Sequence, residues 1–150
     1  MHTTLPSLSV CVLQDDEVLC FKDISPGAEH HYLVVPRDHI KDCTYLQKSQ
    51  ANLGIMANMG LKVLHENNFT DMNDASFGFH LPPYTSVDHL HLHVLAPASQ
   101  LYICSKYKYT PNHYRFITVS TNISLFSPAC PQGSEYVPTA SVHTIIILSM

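Results

Sequence analysis

Eleven histidines stand against eight Lys plus Arg in this 150-residue chain, and imidazole is the side chain whose charge and nucleophilicity change near neutral pH. Three of them alternate with aliphatic residues in His89-Leu90-His91-Leu92-His93-Val94-Leu95. On a β-strand successive side chains point to opposite faces, so this spacing puts three imidazoles on one side, roughly 6.5 to 7 Å apart, and Leu90, Leu92 and Val94 on the other. Three readings fit such a strand. It is a histidine-rich solvent face, or a zinc site in which a His-x-His pair supplies two ligands, or a center for nucleophilic attack at phosphorus. Apart from Asp88, no neighboring Cys, Asp or Glu completes a tetrahedral metal set. Attack at phosphorus is therefore favored, with the flanking rings holding phosphate oxygens.

The elements that must position these rings can be read from the pattern of the chain. Runs 9–13 and 18–21 flank the polar Gln14-Asp15-Asp16-Glu17 and predict a hairpin. After the turn signal Ser25-Pro26-Gly27, residues 31–35 predict a third strand, buried on both faces and stopped by Pro36. Leu53, Ala57, Leu61 and Leu64 recur at steps of four, four and three, which predicts one long helix over about 48–65. Gly54 and Gly60 each weaken it by roughly 1 kcal/mol relative to Ala, unless one of them permits close packing. Asn67-Asn68 is its expected stop. Runs 75–80 and 89–95 predict two strands joined by the loop 81–88, and 114–119 suits a last one. The sum is an α+β fold: a mainly antiparallel sheet of about five strands with one long helix packed on it.

The chain length suits one domain, and 45% hydrophobic with 13% charged residues suits a folded one. A net charge of -4 argues against a polymeric nucleic-acid partner, while a mononucleotide needs only a few local donors. The five cysteines are odd in number and form no Cys-x-x-Cys pair, so a reducing compartment is expected. The first ten residues carry no basic stretch ahead of an apolar one, and the longest aliphatic run, 145–148, is too short to cross a bilayer. No signal peptide and no membrane partner are expected, and the location expected is cytoplasmic and also nuclear.

The run His89 to Leu95 resembles the signature of the histidine triad superfamily at every position. Upstream, Phe21-Lys22-Asp23-Ile24-Ser25-Pro26, then His31-Tyr32-Leu33-Val34-Val35-Pro36 and His39-Ile40, resembles the nucleotide-binding stretch of its Hint branch. Two ordered motifs of this length do not arise easily by chance. The resemblance spans roughly 12–119, so 1–119 is expected to be the domain and 120–150 a divergent tail. It implies a homodimer paired through the helix and a strand. It also implies a nucleoside phosphoramidate hydrolase that cleaves P–N bonds of purine nucleotides to AMP, needing no cofactor and no metal. In that scheme His91 is the nucleophile, giving a nucleotidyl-histidine, with His89, His93 and His31 beside it and Ser86 near the leaving group. Asp23 would accept the ribose hydroxyls, with the Ile24 backbone next to it and Phe21 and Leu33 as apolar walls.

The chain departs from the pattern in three places. Only about eleven residues precede the first matched strand. His80 stands where well-studied members carry an Asn that reaches the phosphate or ribose. Beyond Val119 the resemblance stops. These departures keep a second function in view, an impaired nucleotide-binding scaffold or sensor, and a zinc-dependent protein is the third.

Overall fold

The computed structural model of the chain describes residues 10–48, 50–111 and 113–119. Expectations for the first nine residues and for the tail 120–150 lie outside the described residues. Among the described residues six strands form one sheet: β1 (Cys11–Gln14), β2 (Val18–Lys22), β3 (His30–Pro36), β4 (Ser76–His80), β5 (Leu92–Ala96) and β6 (Phe116–Thr118). Their order is β1-β2-β3-β5-β4-β6 and every pairing is antiparallel. The short β6 falls within the run 114–119 that suits a last strand and pairs with β4, so the sheet agrees with the expected mainly antiparallel sheet of about five strands. The main helix α1 (Gln50–Glu66) follows a 3-10 turn over Cys43–Lys48, and Asn68 closes the segment with φ at 61°.

The register sorts the two faces of the sheet. Residues opposite each other across an antiparallel pair share a face. Cys20 faces Val34, which faces Leu92, while Tyr32 faces Val94, which faces Phe77. All of these are buried in one core with Leu53, Met56, Met59, Val63 and Leu64 of α1. The predicted stripe Leu53, Ala57, Leu61 and Leu64 is buried within the single chain, and Met56, Met59 and Val63 widen it. Packing of this width hides helical positions on more than one ridge. Because Leu53, Ala57 and Leu61 are already covered, they offer a partner subunit no apolar area to bury.

Gly60 sits where α1 crosses the sheet. A Cβ there would lie 2.5 Å from Phe77 Cε1 and 2.8 Å from Val94 Cγ2, so the missing methyl lets helix and sheet approach. Gly60→Ala should gain about 1 kcal/mol of helix propensity and lose more through overpacking of two core side chains, typically 1–3 kcal/mol. A net destabilization of about 1 kcal/mol is expected, and urea denaturation would read it as a lower midpoint. An unchanged or higher midpoint would show that the contact can relax.

The opposite face of the sheet carries His31 and Leu33 on β3, His93 and Leu95 on β5, Ser76 and Gly78 on β4 and Phe116 on β6. Burial of β3 on both faces, as expected, holds in part: His31, Tyr32, Val34 and Pro36 are buried, while Leu33 and Val35 are half-covered. The segment after β5 folds back over part of this second face. It includes a 3-10 turn at Ala98–Gln100 and α2 (Ile103–Lys106). Tyr109 then joins Ala28, Leu95 and Phe116 in a second small core. Among the described residues, no helix is long and apolar enough to cross a membrane.

Candidate active site

His89 and His91 lie before the regular strand, which begins only at Leu92. This corrects the expectation of a strand over the whole histidine run. The ladder with β3 starts at the Val34–Leu92 pair. Ahead of it, the chain is held by irregular bonds: Leu90 N–H donates to the Ile40 carbonyl at 2.7 Å, and His89 Nε2–H donates to the Pro36 carbonyl at 3.0 Å. Alternation nevertheless survives, since Leu90, Leu92 and Val94 are all buried in the helix-side core.

His89 lines one depression with His80 and His91, but both of its ring nitrogens are engaged outside the triad. His89 Nδ1 meets Nδ1 of His39 at 3.1 Å. With its Nε2 proton on Pro36, His89 can only accept there, so His39 donates. His91 and His93 do stay together, their ring centroids 5.0 Å apart. The other rings at this site come from neighboring strands, His31 on β3 and His80 on β4. The ring centroids of His80 and His93 are 4.6 Å apart, and those of His31 and His93 are 5.3 Å apart.

His91 is half-buried. Its Nδ1 lies 2.8 Å from the His89 carbonyl oxygen. A carbonyl only accepts, so Nδ1 carries the proton and Nε2 keeps an unshared pair. This is the tautomer a nitrogen nucleophile needs, with its aim set by a backbone bond.

A hydrogen-bonded chain runs beside it, and its two backbone ends fix every proton. Gly27 N–H donates to His31 Nδ1 at 2.9 Å, so His31 carries its proton on Nε2. That nitrogen lies 3.0 Å from His93 Nδ1 and 3.3 Å from Asp23 Oδ2. His93 therefore accepts at Nδ1 and donates from Nε2 to His80 Nδ1 at 3.1 Å. His80 in turn donates from Nε2 to the Lys108 carbonyl at 3.2 Å. The bond from Gly27 requires a glycine, because a Cβ there would lie 2.9 Å from Tyr109 Cε2 and 3.0 Å from Ser105 Oγ. Tyr109 covers the chain, its ring centroid 5.2 Å from each of His31, His80 and His93.

Burial keeps these rings neutral. His31 is pushed down to about 4, chiefly by desolvation, with Asp23 opposing and His80 and His91 reinforcing. His93 lies well below the usual histidine range for the same main reason, with His91, His31 and His80 adding to it. His80 is lowered by burial, partly offset by its bond to Lys108. Tyr109 is pushed up to about 12 by burial first and Asp23 second.

Among the described residues, two sets of side chains bring ligand atoms within 4.8 Å of one another: His80, His91 and His93, and Asp23, His31 and His93. The fixed tautomers oppose a cation at either. Binding through His93 Nε2 would move its proton to Nδ1, facing the Nε2 proton of His31, and two donors would then meet. Binding through His31 Nε2 would leave that ring with both nitrogens unprotonated. A metal fits only after the Gly27 bond is broken.

The other predicted residues are placed as follows. Asp23 Oδ1 accepts from Ser25 N–H at 2.7 Å, and its second oxygen faces His31. Ile24 is 64% exposed. Phe21, Leu33 and His93 are successive cross-strand partners, so they form one row on the site face. Ser86 is exposed in the loop after β4. Its neighbors Thr85 and Val87 line a shallow depression with His80, His89 and His91, but Ser86 does not. Neither nitrogen of His80 is free for a nucleotide here. Tyr109 and Gly27 escaped sequence reasoning, because only the folding back of the segment after β5 brings them to the rings.

A family model described as scavenger mRNA decapping enzyme C-term binding matches residues 6–109. The adenosine 5′-monophosphoramidase HINT3 of Xenopus tropicalis is 51% identical over 105 residues, covering 69% of this chain and 69% of that protein. Its namesake from Danio rerio is 53% identical over 102 residues, 67% of this chain and 64% of that one. About a third of each relative thus lies outside the match. Among solved structures, an HIT family hydrolase from Clostridium thermocellum superposes with a TM-score of 0.53 at 26% identity, covering 59% of this chain and 78% of that chain. The matched span holds both histidine-bearing motifs on the sheet described above, and the chain belongs to the histidine triad family.

Proposed function

We propose that this chain hydrolyzes the P–N bond of adenosine 5′-phosphoramidates, releasing AMP and an amine. The observation that carries the reading is the His91 imidazole, half-buried, with Nδ1–H on the His89 carbonyl and Nε2 unshared. The names of the relatives at 51% and 53% identity support the same substrate class.

In the first step the Nε2 pair of His91 forms a bond to the α-phosphorus while the P–N electron pair leaves with the amine, which takes up a proton. The nucleotidyl-imidazolium so formed carries a positive charge, and its Nδ1–H stays on the His89 carbonyl. His31, His80 and His93 are held neutral by burial, so they do not repel that charge. Water then attacks the phosphorus, the P–Nε2 bond breaks with its electron pair returning to His91, AMP leaves, and the proton shed by the water balances the one the amine took from solvent. Asp23 has a carboxylate suited to the two ribose hydroxyls, and Phe21 and Leu33 supply apolar surface for the base. Ser86 is assigned to the leaving-group side of the loop.

The test is incubation with adenosine 5′-phosphoramidate, following AMP by phosphorus NMR and intact protein mass at short times. AMP release with a transient nucleotidyl adduct supports the hydrolase. AMP binding by calorimetry without any release would replace it with the nucleotide sensor. Asp23→Asn keeps the turn acceptor for Ser25 but removes the charge facing the ribose. It should raise KM about tenfold, equivalent to about 1.4 kcal/mol for one charge-assisted hydrogen bond. An unchanged KM would remove Asp23 from the ribose site.

A further inference from the structure

We propose that His80 is a positioning residue for His93, anchoring that ring in one orientation through its own bond to the Lys108 carbonyl. The inference rests on the hydrolase reading only for its kinetic consequence.

The geometry leaves His80 a single role in proton placement. Its Nδ1 receives from His93 Nε2 at 3.1 Å and its Nε2 gives to Lys108 at 3.2 Å. Only a five-membered ring with two nitrogens can do both across this span. An Asn has a δ oxygen in the place of Nδ1, so it can accept from His93, but it has no atom at the ε position to reach the Lys108 carbonyl. A leucine can do neither. Loss of His80 Nδ1 would leave the Nε2–H of His93 as a donor without a partner in a ring that is 4% exposed, a costly arrangement that the ring relieves by turning. The tautomer of His93 would persist, because His31 still donates to its Nδ1. What would be lost is the fixed plane of the ring next to His91.

Lys108 also ties this anchor to the segment that covers the site. Tyr109, the next residue, packs on the His80 and His93 rings at 5.2 Å. His80 therefore couples the orientation of a ring beside the nucleophile to the seating of the loop after α2.

The experiment uses the full chain with 15N-labeled histidine, without substrate. In the wild type, hydrogen-bonded imidazole N–H protons correlated with Nε2 should appear at low field from His31, His93 and His80, beside those of His89 on Nε2 and His91 on Nδ1. In His80→Asn the His80 signal disappears and the His93 signal persists. In His80→Leu the His93 proton exchanges fast and its signal broadens away, while that of His31 remains. Parallel kinetics should show kcat reduced about tenfold in His80→Leu, the scale of lost orienting bonds, with KM within about threefold and substantial recovery in His80→Asn. A wild-type proton on His93 Nδ1 would overturn the proposal, as would a His93 signal that survives in His80→Leu. If no variant or wild type turns over substrate, the hydrolase reading fails while the NMR result still decides the role of His80.

Discussion

His91→Asn should lower turnover of an adenosine phosphoramidate by about 10⁴-fold or more, equivalent to about 5.5 kcal/mol in the barrier, while leaving the fold intact. The amide nitrogen of Asn has its electron pair drawn into the carbonyl and is no nucleophile. Its amide N–H can still approach the His89 carbonyl, so the backbone bond that orients position 91 need not be lost. His91 is only half-buried, and a smaller polar side chain there leaves no deep cavity. The thermal midpoint should therefore stay within a few degrees of wild type, and AMP should still bind. Intact mass provides the second readout: the nucleotidyl adduct seen on wild type should be missing from the variant. Wild-type-like turnover, or an adduct that forms regardless, would move the nucleophile to another residue.

How much of this site could be read from the residues depends on distance along the chain. The alternation of His89 to Val94 and the stripe on α1 are local periodicities: Leu90, Leu92, Val94, Leu53, Leu61 and Leu64 all lie in the helix-side core, and Ala57 is buried. The tautomer of His91 is also a local matter, because its partner is two residues away. By contrast, His31 and His93 meet across 62 positions and His80 reaches the carbonyl of Lys108 across 28. Such bonds exist only once β3, β5 and β4 are neighbors and the segment after β5 has folded back. The turning of His89 toward Pro36 and His39 has the same origin: β3 ends at Pro36, leaving a carbonyl for the imidazole to satisfy. Along the chain, too few ligands stand near His89 to His93 to complete a metal set. The fold does bring a third imidazole, but it also fixes the protons that oppose a cation.

Acid should unfold this protein earlier than its carboxylates alone would require. In the unfolded chain each histidine takes up a proton near pH 6.5. In the folded chain His31 does so only near 4, so between these values the unfolded state binds more protons and stability rises with pH. Read downward, the stability that His31 contributes above pH 6.5 is lost progressively as pH falls and is gone at about 4. A difference of about 2.5 units amounts to about 3 kcal/mol, of which about 2 kcal/mol is lost between pH 7.5 and 5. His93 and His80 are shifted in the same direction and steepen the loss. The window from 6.5 to 5 separates this effect from ordinary carboxylates, whose protonation comes lower. Urea unfolding free energies at pH 7.5, 6 and 5 would measure the slope. In parallel, the imidazole C–H resonances of His31 and His93 should show no protonation shift in the folded state at pH 5. Equal unfolding free energies at 7.5 and 5, or a folded His31 that titrates near 6.5, would mean that the buried chain carries charge. The neutral surroundings assigned to His91 would then be lost.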